Sequence, residues 1–172
     1  DDEEVKKPSV QKKLPKKNYK KQISGITYRV TKSHKTRGTV EVYKVKADKK
    51  TVKIPDKVTI NGYSFKVTSI YKKAFKNNKK VQNVTIKDNV KSIGTQAFYG
   101  CKNLKSVTVG KGIESIGAKA FYSCKSLKKI TISSKKLDSV GAYAFKGIHK
   151  KAKIYVPSDQ VKAYKKLLKG KG

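Results

Sequence analysis

The 172-residue sequence has no methionine and no tryptophan, and it contains only two cysteines and two histidines. Two cysteines cannot form the dense disulfide framework of a small secreted domain. Neither a C-x-x-C nor an H-x-x-x-H pair occurs, so no zinc-ligand spacing is present. No apolar run approaches the roughly 18 residues of a membrane-spanning helix. The missing initiator and the absence of a secretory signal predict a processed or trimmed chain.

Acidic residues are scarce, since 11 Asp and Glu stand against 44 Lys and Arg, for a net charge of +33. Only Arg29 and Arg37 are arginines. Arginine makes most base-reading and bidentate phosphate contacts, so we expect no specific nucleic-acid partner, although nonspecific binding at low salt is expected. The acids do not cluster and no catalytic motif occurs, so we expect no enzyme activity, metal or cofactor. The large charge also predicts a monomer.

Valine and isoleucine are abundant and predict a folded, strand-rich chain. Val, Ile, Leu and Phe make up 41 of the 172 residues, about 24%, which exceeds the ~20% below which disorder is the default. The 30 β-branched aliphatic residues outnumber six leucines, and this favours strands over helices. Residues 1–22 differ, because this Lys-rich tract with Pro8 and Pro15 has little apolar content. It predicts a disordered linker.

A repeat of about 23 residues dominates the rest of the sequence. Phenylalanine recurs at intervals of 23, 23 and 24 residues, and an alanine precedes it each time. An apolar-x-apolar pair, typical of a short strand, follows nine residues after each phenylalanine. A unit this short cannot bury its own apolar face, so the units must stack, with their phenylalanines in an internal column. The four phenylalanines are Phe75, Phe98, Phe121 and Phe145.

Both ends of the repeat array carry segments that predict caps. Asn61-Gly62 lies between two alternating apolar runs and predicts a β-hairpin. Together with the alternation of Ile26, Tyr28 and Val30, it indicates a β-rich cap and first irregular coil over residues 23–66. Four repeats then span residues 67–156, and a short capping helix is predicted over residues 157–172.

Residues 90–109 read V-x-x-I-G-x-x-A-F-x-x-C-x-x-L-x-x-V-x-V and resemble the BspA-like leucine-rich repeats; residues 113–132 fit equally well. The resemblance implies a β-rich, right-handed solenoid with short turns or 3-10 segments on its convex side. It further implies an extracellular or bacterial cell-surface protein that acts in adhesion or interaction, with no catalytic residues to carry over.

Cys101 and Cys124 hold the same position in adjacent repeats, so their backbones should be about 5 Å apart, within disulfide range. However, both thiols should point inward in parallel, whereas a disulfide needs a near-perpendicular torsion. We therefore favour two buried free thiols that bond weakly to the backbone over a disulfide.

The surface offers two sets of candidate binding residues. Outward strand positions and a predicted pair of stacked tyrosines suggest contacts to a glycan or protein. We favour β-propensity and cross-strand packing as the explanation of the strand positions, and ordinary amphipathic surface explains the tyrosines equally well. Aligned lysines suggest a stripe that binds polyanions, or simply a solvated basic surface. The glycan or protein candidates are Thr85, Thr108, Thr131, Tyr155, Tyr99 and Tyr122. The stripe comprises Lys79, Lys102, Lys105, Lys125 and Lys128.

The sequence therefore predicts a secreted or surface-attached interaction module that binds a protein or glycan partner without catalysis. The alternative is an electrostatic anchor that binds anionic wall polymers or host polyanions through the lysines.

Overall fold

The computed structural model describes residues 12–46 and 48–172. Within them the chain forms thirteen strands, a 3-10 turn at Ser158–Gln160 and the helix α1 (Val161–Leu168). The strands are β1 (Lys20–Ile23), β2 (Ile26–Lys32), β3 (Gly38–Val45), β4 (Thr51–Ile54), β5 (Lys57–Ile60), β6 (Tyr63–Ile70), β7 (Asn83–Ile86), β8 (Ser92–Ile93), β9 (Ser106–Val109), β10 (Ser115–Ile116), β11 (Lys129–Ile132), β12 (Ser139–Val140) and β13 (Lys153–Tyr155).

The strands form two sheets. The five-stranded sheet is parallel, in the order β13-β11-β9-β7-β4. In the eight-stranded sheet, β6, β8, β10 and β12 pair in parallel, and β3, β2 and β1 continue beyond β6. The chain alternates between the sheets once per turn, which makes a β-solenoid of about five turns and confirms the solenoid predicted from the repeat.

The phenylalanines form the column that the repeat predicts. Their ring centroids are 4.4, 5.0 and 5.3 Å apart along the column, and each ring is at most 3% exposed. Each full burial contributes roughly 1.5–3 kcal/mol to folding. The backbone reinforces the stack, since the amides of the first three column phenylalanines each donate to an alanine carbonyl of the next turn, as from Phe98 to Ala120 at 2.7 Å.

Glycine stands where successive turns touch backbone to backbone. A Cβ on Gly117 would lie 2.5 Å from the amide nitrogen of Thr95 in the preceding turn. The equivalent position in the first coil is Tyr71, which comes directly after β6. Its neighbour is the strand β3 rather than the tight turn of a preceding repeat: the Tyr71 amide donates to the Val42 carbonyl at 2.8 Å, and its ring stacks on Tyr43 at 5.3 Å. The different neighbour explains why Tyr71 breaks the glycine pattern.

The C-terminal segment covers the last turn. Tyr164 of α1 is 1% exposed, and its hydroxyl donates to the Ser134 carbonyl at 2.6 Å and accepts from the Leu137 amide at 3.2 Å. The Lys171 carbonyl accepts from the Phe145 amide at 2.9 Å, in the place of the carbonyl that another turn would supply. The open end of the solenoid therefore has bonded partners.

The N-terminal region contains the predicted hairpin and one difference from prediction. β5 and β6 pair through a two-residue turn in which Asn61 and Gly62 both have positive φ, the type I′ geometry. The predicted linker over residues 1–22, however, is wrong for its second half, because β1 pairs antiparallel with β2 and Pro15 is buried. Main-chain bonds hold this edge strand, so it needs few apolar side chains. Residues 1–11 lie outside the described residues.

Candidate functional site

The outer face of the five-stranded sheet carries a row of polar side chains in register. Thr85, Thr108 and Thr131 pair across β7, β9 and β11, and the row continues to Lys53 and Tyr155 on the edge strands. The side chain of Tyr155 is 50% exposed. The structure thus places the predicted threonine positions side by side, and we call Thr85, Thr108, Thr131 and Tyr155 the hydroxyl row.

A second outward row lies two residues earlier on the same strands and was not singled out from the sequence. Within it, the Ser106 hydroxyl donates to the Asn83 side-chain oxygen at 2.7 Å, and the Lys129 ammonium lies 5.7 Å from the ring centre of Tyr155. The 23-residue spacing of these polar positions would have revealed it. The row consists of Thr51, Asn83, Ser106, Lys129 and Lys153.

All five lysines of the predicted stripe are exposed, and they lie on loops that enter the five-stranded sheet. These loops, residues 76–82, 99–105, 122–128 and 146–152, form what we call the basic face. Side chains of the next turn fix the loop backbone: Asn103 donates to the Lys79 carbonyl and Ser126 to the Lys102 carbonyl, both at 2.6 Å. The lysines therefore project from an ordered backbone, and their ammonium groups are solvated.

Stacking like charges is unfavourable unless something offsets it. In-register strands are about 4.8 Å apart, and two positive charges near 5 Å repel by about 0.8 kcal/mol even in water. Salt screens this repulsion, and the flexible side chains can separate. Among the described residues only two ion pairs form, Arg29–Glu41 and Lys135–Asp159, and neither involves the basic face.

The acidic residues of the repeats occupy the opposite end of the same strands. Asp56, Asp88, Glu114 and Asp138 each lie between a strand of the five-stranded sheet and the next strand of the other sheet. We call residues 55–56, 87–91, 110–114 and 133–138 the corner segments. Two of these carboxylates serve the backbone: Asp56 accepts from the Asp88 amide at 3.0 Å, and Asp88 accepts from the Lys111 amide at 2.8 Å.

Tyr99 and Tyr122 stack on each other, as predicted, with ring centroids 5.0 Å apart and planes 8° from parallel. The Lys76 ammonium lies 5.1 Å from the centre of the Tyr99 ring, and that of Lys119 lies 5.6 Å from the centre of the Tyr122 ring. The ring faces are therefore largely occupied within the protein, which leaves edges and hydroxyls for a partner.

An arginine cluster on the N-terminal strands was not predicted. Arg29 Nε donates to Glu41 Oε1 at 2.6 Å, and the guanidinium carbon lies 4.6 and 4.4 Å from the ring centres of Tyr43 and Tyr71. Burial opposes the charged form, but the hydrogen bonds to Glu41 and Tyr71 outweigh it and raise the pKa of Arg29. These groups already satisfy one another, so the cluster stabilises the strands rather than offering a binding site.

Cys101 and Cys124 are free and buried, as favoured from the sequence. Their thiols donate to the carbonyls of Phe75 and Phe98 at 3.1 and 3.0 Å. The neighbouring Cys101 thiol and burial both raise the pKa of Cys124. A thiol held in its protonated form is a poor nucleophile and metal ligand, which excludes such a role for Cys124. Both side chains are fully buried and belong to the core.

Over residues 12–46 and 48–172, no group of three or more His, Cys, Asp or Glu side chains is arranged to hold a metal ion. In the same part of the chain, no helix is long and apolar enough to span a membrane.

Comparison with known proteins identifies the repeat. A family model described as the BspA type leucine-rich repeat region matches residues 68–168 in six copies. No curated protein sequence matches the chain significantly.

Several solved structures share the fold. A leucine-rich repeat protein from Bacteroides capillosus is 27% identical, with a TM-score of 0.69 over 81% of this chain and 99% of that one. One from Bacteroides ovatus is 31% identical, with a TM-score of 0.68 over 82% of this chain, which spans 38% of that protein. A leucine-rich cell surface protein from Faecalibacterium prausnitzii is 22% identical, with a TM-score of 0.57 over 81% of this chain and 43% of that one.

Proposed function

Because the chain belongs to the family of BspA-type leucine-rich repeat proteins, we propose that it is a non-catalytic interaction module that binds a protein or glycan partner through its repeat surface. The observation that carries this proposal is the hydroxyl row, which four parallel strands hold in register on an open face. An extended surface of this kind suits a partner that lies across several repeats rather than one enclosed in a pocket.

We further propose that the module acts outside the cell or at a bacterial cell surface. The similar Faecalibacterium prausnitzii protein is described as a cell surface protein, and this supports the location. Many solvated lysines suit a protein that works as a monomer among anionic surfaces.

The test is a binding panel of extracellular-matrix proteins, neutral glycans and anionic polymers at two salt concentrations. We expect a protein or glycan ligand that still binds at high salt and is lost when Thr85, Thr108 and Thr131 are replaced by Val. This change removes three hydroxyls but keeps the branched shape that strands favour. The matched control replaces Ser69, Ser92 and Ser115 by Ala, which removes three in-register hydroxyls from the other sheet. Equal loss in both variants, or no salt-resistant ligand, contradicts the proposal.

A second candidate function is the electrostatic anchor, which the exposed lysine stripe favours. Here the protein would be held on anionic wall polymers or host polyanions by Lys79, Lys102, Lys105, Lys125 and Lys128. Its signature is binding restricted to polyanions and abolished by salt, because the released counterions drive association.

A further inference from the structure

We infer that the basic face is the binding site for a linear anionic polysaccharide, one that carries uronate or sulfate groups and lies along the stacking axis of the solenoid. The inference rests on the second proposed function, the electrostatic anchor, and adds the ligand class, the orientation of the polymer and the limits of the site.

Positive and negative charges are separated around each turn. In each of four repeats, one stretch has no acidic residue. The stretch begins in a strand of the eight-stranded sheet, continues through the Ala-Phe turn and the following loop, and ends with the next strand of the five-stranded sheet. The same stretches hold fifteen lysines. These stretches are residues 70–86, 93–109, 116–132 and 140–156. The four acids of the repeats all lie in the corner segments, so this surface is positive by position and not only by overall composition.

The acidic corner segments lie far from the basic face. The basic face and the corner segments lie at opposite ends of four-residue strands, which separates them by roughly 10–13 Å. This exceeds the Debye length of about 8 Å at physiological salt, so the corner carboxylates barely weaken the attraction of the basic face for an anion. A groove near the corner segments, lined by Lys66, Lys91, Asp88 and Glu114 among others, mixes both signs of charge and would repel part of any polyanion.

The lysines of the basic face are aligned along the stacking axis of the solenoid. Lys79, Lys102 and Lys125 occupy equivalent loop positions in three successive turns, and the Lys128 amide donates to the Lys105 carbonyl at 3.0 Å. Lysines therefore recur at about the strand spacing along the solenoid axis. A polymer that runs along this axis meets one lysine set per turn, whereas one that runs along the strands leaves the basic face within a few residues.

The groups next to the basic face favour a polysaccharide as the anionic ligand. The basic face adjoins the hydroxyl row and the second outward row, whose Thr, Ser and Asn groups can bond to sugar hydroxyls. Nucleic acid fits less well, since unpaired bases need free aromatic faces and Tyr99 and Tyr122 already cover each other. Neither Arg29 nor Arg37 belongs to the loops of the basic face, so these loops carry no side chain that could clamp a phosphate in the bidentate manner of arginine.

The test measures the affinity of the protein for polygalacturonate and for heparin in buffers of about 0.05 to about 0.3 M salt. Neutral dextran, duplex DNA and single-stranded DNA serve as comparison ligands. The face variant replaces Lys102, Lys105, Lys125 and Lys128 by Gln. The matched control replaces Lys87, Lys91, Lys111 and Lys136 by Gln, which removes the same charge at exposed positions in the corner segments. Thermal unfolding of each variant checks that it is folded.

We expect the face variant to lose at least about tenfold in affinity for a polysaccharide at low salt and to flatten the log–log salt slope by about three, as four lost anion contacts predict. The control should lose less than about threefold. The two polysaccharides separate carboxylate from sulfate recognition. Equal losses in both variants overturn the inferred site, and tighter binding to either form of DNA at equal salt overturns the glycan class. If the face variant binds the polysaccharides as the parent does, and a salt-resistant ligand is lost only when Thr85, Thr108 and Thr131 are replaced by Val, this inference is wrong and the first proposed function is supported.

Discussion

The phenylalanine column inside the turns and the lysines of the basic face outside them follow the same period, but stacking affects their energies in opposite ways. Inside, each turn buries a ring against its neighbour and stabilises the fold. Outside, each turn brings a further positive charge close to the last one. The interior therefore accounts for folding, whereas the exterior arrangement is mildly unfavourable by itself.

Truncating the column should have the largest effect. Phe98→Ala leaves a cavity between two fully stacked neighbours and should lower the free energy of unfolding by about 3–5 kcal/mol, measured by urea denaturation. Tyr99→Ala is the matched control, since it truncates the adjacent aromatic residue outside the turn and should cost no more than about 1.5 kcal/mol. Similar losses for the two variants would remove the contrast between interior and exterior.

The closing contact of the last turn should have an intermediate effect. Tyr164→Phe removes the hydroxyl that bonds Ser134 and Leu137 and leaves a buried carbonyl and amide without this partner, at a cost of about 1–3 kcal/mol. Urea denaturation measures the loss, and Tyr155→Phe is the control because that hydroxyl is on an exposed side chain. If Tyr164→Phe is as stable as the parent, α1 is not the cap that the structure indicates.

Removing charge from the basic face should have the smallest effect, and of opposite sign. The face variant, with Gln at positions 102, 105, 125 and 128, should be more stable than the parent at low salt by less than about 1 kcal/mol, because repulsion is relieved. The difference should vanish near 0.5 M NaCl, where screening is short-ranged. Urea melts at both salt concentrations measure it, and a variant that is less stable at low salt would show that the lysines are stabilising.

Sequence reasoning succeeded where one residue type recurs at a fixed interval. The phenylalanine column, the inward cysteines and the Asn61-Gly62 hairpin all follow from local pattern and period. Such features need no knowledge of distant contacts, since stacking itself fixes their neighbours.

Other features depend on partners that period alone does not reveal. β1 forms because its backbone pairs with β2. Its side chains are mostly polar, so they do not indicate a strand in the sequence. The Arg29 cluster gathers residues up to 42 positions apart, from Arg29 to Tyr71. The 23-residue spacing does predict the second outward row and the confinement of the acidic residues to the corner segments. Both become visible when the polar positions of the repeats are aligned in the same way as the apolar positions.

The most direct test of the account is to map a bound anionic oligosaccharide by amide chemical-shift changes in the 15N-labelled protein. We expect the amide signals of residues 102–105 and 125–128 and of the hydroxyl row to shift together during the titration, and those of Asp88, Lys111 and Glu114 to stay unchanged. Shifts centred on the corner segments, or spread evenly over all lysine-bearing surfaces, would contradict it.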